Sequence, residues 1–264
     1  MGEPTWSIVE GEGPLVATAI HDGHAIREQL QDRCALSESQ RLREEDPFTG
    51  EWTTVAGTRV VARRSRFEVD LNRPREKAVY RQPEDAWGLN LWREPLTPEM
   101  VDRSLALYDS FYAELKPLLQ KKVESHGRFV VFDLHSYNHR RGGPEAPPAA
   151  PRENPEVNVG TGNMDRRSWA PVVDAFLSAL GGFDFRGRHL DVRENVKFRG
   201  GYLSKWVQQE FPGAGCALAI EFKKFFMDEW TGNPVPETMA AINQALASTA
   251  SPVLAALARR DSPA

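Results

Sequence analysis

The run Phe129-Val130-Val131-Phe132-Asp133-Leu134 constrains the fold more than any other segment. It is the clearest strand in the chain, short, bulky and apolar, and it is interrupted by one carboxylate. It follows a helical pattern over residues 97–126, where Thr97 suits the N-cap, Pro98 the first turn and Gly127 the stop. Pro117 is expected to kink or divide that helix. The same alternation recurs along the chain. Residues 15–20 and 217–222 read as strands, 58–62 and 67–71 as strand pieces, and 157–159 as strand-like. Residues 169–180, 202–211 and 237–260 read as helices, the last interrupted at Pro252. Strand and helix alternating throughout argues for one α/β domain over residues 1–264, with a mixed, largely parallel sheet and helices on both faces.

Composition supports a globular chain and removes several function classes. Of the 264 residues, 41% are hydrophobic and 27% charged, ordinary for a protein that buries a core. Lys plus Arg is 33 and Asp plus Glu is 37, so the net charge is −4. That mild acidity gives no general attraction to nucleic acid or to an anionic membrane. No apolar run approaches the ~20 residues of a membrane span. The opening Met1-Gly2-Glu3-Pro4-Thr5-Trp6 lacks the basic and apolar regions of a signal peptide. Cys34 and Cys216 make no disulfide framework, and reduced thiols in the cytoplasm are the simpler reading. Residues 141–155, rich in Pro and Gly, form neither helix nor strand and read as a long loop beside a functional site.

In open α/β sheets ligands sit outside the carboxyl ends of the strands. Three polar clusters fall there: His21-Asp22-Gly23-His24 after the first strand, Asp133-Leu134-His135-Ser136 at the end of the clearest one, and Glu221 near the end of another. Two histidines with carboxylates on strand ends suit a catalytic zinc site, which leaves one position open for water. The run 65–74 adds Arg66, Asp70, Asn72 and Arg73; guanidinium suits carboxylate recognition and oxyanion support. If 67–71 is a strand, Asp70 and Asn72 share one face and Leu71 and Arg73 the other. Arg63 and Arg64 fit a surface salt-bridge array. Gly200-Gly201 before a helix lets the backbone approach a ligand or turn tightly.

Taken in order, these segments resemble the N-formylglutamate amidohydrolase family, a branch of the zinc carboxypeptidase-like hydrolases. The matching elements are Ser65-Arg66-Phe67-Glu68-Val69-Asp70-Leu71-Asn72-Arg73-Pro74, Asp133-Leu134-His135-Ser136, Gly200-Gly201-Tyr202 and Ile220-Glu221-Phe222-Lys223, the last followed by Phe226-Met227-Asp228-Glu229. Lys197 stands where the family often has Pro, and Lys223 or Lys224 where it often has Arg.

The resemblance implies a zinc carboxypeptidase-like fold and one zinc ion held by His21, His135 and a carboxylate. Asp46 is favoured for the carboxylate, with Glu45 and His24 as alternatives. It also implies that Glu221 acts as general base and acid, that Arg66 polarises the scissile carbonyl, and that Asn72 and Arg73 bind a substrate carboxylate, with Gly200 and Gly201 beside them. The expected substrate is an N-acyl amino acid of the N-formylglutamate kind. A peptide or cell-wall-like amide cut by the same site is the alternative, and a non-catalytic binding protein a third reading.

Overall fold

The computed structural model describes residues 4–259; residues 1–3 and 260–264 lie outside it, among them Arg260, the expected last residue of the final helix. Among the described residues there are seven strands: β1 (Trp6–Val9), β2 (Leu15–Ala19), β3 (Thr58–Ala62), β4 (Phe129–Tyr137), β5 (Val157–Gly160), β6 (Val192–Glu194) and β7 (Gly215–Lys223). They form one sheet in the order β1-β3-β2-β4-β7-β5-β6. The β2, β3, β4 and β7 pairings are parallel, as is β5 with β6; β1 joins β3 and β5 joins β7 antiparallel. The mixed, largely parallel α/β sheet expected from the sequence is therefore present.

The helices are α1 (Glu28–Gln31), α2 (Glu38–Glu44), α3 (Thr49–Trp52), α4 (Pro98–His126), α5 (Ala170–Gly182), α6 (Tyr202–Glu210) and α7 (Pro236–Arg259). Strand periodicity divides the core. Val130, Phe132, Leu134, Leu218 and Ile220 pack with Phe176 of α5 and Ile242 and Leu246 of α7. Phe129, Val131 and Ala217 face the other way, onto Phe111, Leu115 and Leu119 of α4 and Val207 of α6. Both faces of the central strands are covered, which explains why β4 and β7 read as nearly unbroken apolar runs. Burial of α7 against α5 and the sheet also accounts for its composition: it is long and apolar enough to cross a membrane, yet Met239, Ile242, Leu246, Val253 and Leu257 are core residues.

Three local expectations are corrected. Pro117 does not divide α4, which continues for 29 residues. It lies on the exposed side, where water can meet the carbonyl that loses its partner. Pro252 likewise sits inside an unbroken α7. Residues 67–71 form turns, not a strand. There the amides of Glu68 and Val69 bond to the Ser65 carbonyl, and the Ser65 hydroxyl takes the Phe67 amide, so the chain coils instead of joining a ladder. Phe67, Val69 and Leu71 alternate because each enters a core, not because the backbone is extended. Beyond a short 3-10 turn (Pro151–Glu153), residues 141–155 are irregular, as expected.

Candidate active site

The carboxyl ends of three adjacent parallel strands carry the polar clusters. His21 follows β2, His135 lies near the end of β4, and Glu221 near the end of β7, directly opposite His135 in register. Asp133 and His135 share the α4/α6 face because they are two residues apart on a strand.

Asp46 arrives from the turn after α2. Its amide bonds to the His21 carbonyl at 2.9 Å. The buried Lys224 ammonium donates to the carbonyls of Arg43 (2.6 Å) and Glu45 (2.7 Å), fixing the end of α2. Burial lowers the Lys224 pKa to about 8.

His21, Asp46 and His135 are all buried, and their candidate ligand atoms lie within 4.8 Å of one another. Asp46 Oδ2 is 3.4 Å from His21 Nδ1 and 3.0 Å from His135 Nδ1. The far nitrogen of each ring has its own carboxylate: His21 Nε2 lies 2.7 Å from Asp70 Oδ1, and His135 Nε2 lies 3.0 Å from Asp133 Oδ2. With those carboxylates beside the Nε2 atoms, both Nδ1 atoms are turned toward Asp46 Oδ2. The alternatives Glu45 and His24 are engaged with each other, Nδ1 to Oε2 at 2.5 Å, and Glu45 also accepts from the Ser65 hydroxyl.

Buried carboxylates dominate the electrostatics of the cluster. Burial acts to raise the Asp46 pKa, but the hydrogen bonds from His135 and His21 outweigh it and hold Asp46 well below the usual carboxylate range. Burial likewise opposes ionisation of Asp70, and the Arg66 charge and the His21 and Tyr80 contacts overcome it. For His135, burial disfavours the charged ring, yet Asp133 and Asp46 push its pKa well up. For Glu221 burial prevails, although the nearby His135 ring opposes it. Burial raises its pKa to about 7, and no hydrogen bond or ion pair to its carboxylate is present among the described residues.

These groups open into a cavity of about 370 Å³ whose lining includes His21, Asp46, Arg66, Asn72, His135 and Glu221, with Gly200 and Gly201. Asn72 ties the walls together. Its carbonyl takes the Tyr202 amide, its Oδ1 takes the Leu203 amide at 2.9 Å, and a Cβ on Gly201 would fall 2.3 Å from its side chain. Asn72 Nδ2 lies 3.3 Å from His135 Nε2.

Arg66 donates to Asp70 Oδ2 at 2.8 Å and lies 4.8 Å from the ring of Trp87, a half-exposed residue in the left-handed region at the cavity wall. Arg73 is placed differently from the expectation. It is absent from the lining, its Nε is 3.5 Å from Asp70 Oδ2, and its guanidinium stacks on Tyr80 at 4.5 Å. Of the expected surface pair, Arg64 reaches Glu68 at 3.9 Å, whereas Arg63 donates to the Ser7 hydroxyl at 3.3 Å. Asp133 was open to discovery from its i, i+2 spacing to His135; Trp87 carries no comparable sequence signal.

The model of the N-formylglutamate amidohydrolase family matches residues 13–227. The chain belongs to this family. The family's reaction, hydrolysis of an amide bond, is the chemistry for which a paired-histidine site with an unpaired glutamate is equipped. The fold agrees: an N-formylglutamate amidohydrolase from Ralstonia eutropha is similar at a TM-score of 0.73 and 19% identity, over 96% of this chain and 98% of that one. A gene product of Agrobacterium tumefaciens is similar at 0.67 and 19%, over 96% of each chain. No curated protein matches the chain.

Proposed function

We propose that the protein is a zinc-dependent cytoplasmic hydrolase that cleaves the amide bond of an N-acyl amino acid carrying a free carboxylate. The observation that carries this reading is the convergence of His21, Asp46 and His135 in one cavity with the unpaired Glu221. Two imidazole nitrogens and a carboxylate are a donor set that zinc favours. The three also fit a cation electrostatically, since Asp46, Asp70 and Asp133 are buried beside them. His21, Asp46 and His135 would hold the ion, which supplies Lewis-acid polarisation of the amide carbonyl and acidifies water near neutral pH.

The chain's own residues divide the remaining work. Glu221 takes a proton from the attacking water and returns it to the leaving amine, a role for which a pKa near 7 is suited. Arg66 holds the charge that develops on the carbonyl oxygen. Asn72 Nδ2, beside the Gly200-Gly201 turn, binds the substrate carboxylate and so fixes the amide relative to Glu221. Arg73 acts from behind this wall: by bracing Asp70 it keeps His21 in its tautomer and orientation.

The test is release of free amine from N-formyl, N-acetyl and N-succinyl amino acids, with short peptides alongside. Chelation should abolish turnover and zinc should restore it. Turnover that survives complete removal of metal would defeat the proposal, and preference for peptides would favour the peptidase alternative.

A further inference from the structure

Trp87 combines two unfavourable features on the wall of the reaction cavity. It ends the 3-10 turn Pro83–Ala86 in the left-handed region, with φ 54° and ψ 29°. Glycine adopts that backbone freely, whereas a bulky residue is rare there. The turn around it leaves no alternative. Asp85 accepts from the Arg81 amide at 2.9 Å and the Gln82 amide at 3.2 Å. The Trp87 and Gly88 amides both bond to the Pro83 carbonyl, and Ala86 is fully buried among Phe67, Tyr80 and Leu91. The second feature is exposure: Trp87 is 51% exposed, the most of any large apolar side chain among the described residues. Half of it lies in water, so core packing does not account for an indole at a strained position. Strain of this kind is held in place by its surroundings and gathers at functional sites.

What the ring meets on its other side is Arg66. The guanidinium carbon lies 4.8 Å from the ring centre. Hydrogen bonds alone hold that guanidinium loosely. Nη2 donates to Asp70 Oδ2 at 2.8 Å, Nη1 reaches the Glu44 carbonyl only at 3.4 Å, and Nε is buried with no hydrogen-bond partner among the described residues. One good bond anchors an edge and leaves the plane free to swing about it. The indole face removes that freedom. The Arg66 side chain is 13% exposed, and a cation–π contact is strongest for a cation largely withdrawn from water. Trp87 is itself braced: the Tyr80 ring meets it edge-on at 6.0 Å, and the Tyr80 hydroxyl donates to Asp70. Contacts therefore run in a closed circuit from Asp70 to Arg66, Trp87, Tyr80 and back to Asp70.

Resting on the hydrolase reading, in which Arg66 holds the charge that develops on the carbonyl oxygen, we infer that Trp87 is a positioning residue for Arg66. Its indole face fixes the plane of the guanidinium, so that the donors not used by Asp70 are aimed before the substrate arrives. A group aimed at charge that develops only during reaction acts on kcat more than on KM.

The test has a spectroscopic arm and a kinetic arm. In the ¹⁵N-labelled full chain, the Arg66 Nε–H signal is identified by its loss in Arg66→Lys, and its exchange with water is measured. Exchange should be slow in wild type and in Trp87→Phe, which keeps an aromatic face, and about tenfold or more faster in Trp87→Leu, which keeps apolar bulk without one. Thermal unfolding shows each variant folded. With zinc-loaded chain and an N-acyl amino acid, Trp87→Leu should lower kcat about tenfold with little change in KM, and Trp87→Phe should recover most of the loss. In an Arg66→Ala background Trp87→Leu should cost nothing further, because Trp87 acts through Arg66. Exchange unchanged in Trp87→Leu, or equal losses in kcat with and without Arg66, would overturn the assignment. Absence of amine release from every N-acyl amino acid would defeat the hydrolase reading alone, since the exchange rate still decides whether Trp87 holds Arg66.

Discussion

Asp133 Oδ2 lies 3.0 Å from His135 Nε2, and the other nitrogen of the same ring faces Asp46 Oδ2, also at 3.0 Å. Thr18 fixes the second oxygen of Asp133 from the neighbouring strand, with its hydroxyl donating at 2.7 Å. The carboxylate thus faces the ring nitrogen of His135 that is turned away from Asp46, from a site with no exposure to solvent.

Asp133→Asn should therefore weaken zinc binding by about 10–100-fold while leaving the fold intact, since loss of such an outer partner costs about that much. Competition against a chelator of known affinity measures it. Unchanged affinity would mean that Asp46 and the β4 backbone orient the ring unaided.

Arg73→Ala distinguishes a bracing role from direct substrate contact. With Arg73 held by Asp70 and stacked on Tyr80, its loss should lower kcat/KM by a similar factor for a substrate with a free carboxylate and for the corresponding amide. A loss confined to the carboxylate substrate would place Arg73 in the cavity during turnover.

Much of the site was legible in the sequence because strand ends carry their chemistry in register. His135 and Glu221 stand on separate apolar runs, and the expectation that ligands gather at the carboxyl ends of parallel strands brings them together. What was not legible depends on loops and side-chain pairing. Nothing in the alternation of Phe67, Val69 and Leu71 tells a strand from a coil whose side chains enter separate cores. Arg73 reads as a ligand-binding residue until Asp70 is seen to hold it. Asp46 could be separated from Glu45 and His24 only once Glu45 was found paired to His24 and Ser65.

Glu221 also gives the metal-free protein a characteristic pH dependence. Its carboxyl moves from the ordinary 4.5 to about 7 in the folded chain because of burial. Between those values the folded state binds more protons than the unfolded one, so stability falls as pH rises. The contribution is complete below the unfolded value and is lost as pH rises through about 7. Metal-free Glu221→Gln should therefore unfold at a higher temperature than metal-free wild type at pH ~8, with the gap closing by pH ~4. A gap independent of pH would mean that Glu221 is not held in a desolvated state.

The same substitution in the zinc-loaded protein tests the central claim most directly. Glu221→Gln is nearly isosteric and removes a proton acceptor without removing any of the three grouped donors, His21, Asp46 and His135. Metal content and amine release are measured together on one preparation. The account predicts one zinc per chain, as in wild type, and a kcat lower by about 10²–10⁴, the usual worth of a positioned acid–base group. A variant that keeps full turnover, or one that loses its zinc along with its activity, would contradict it.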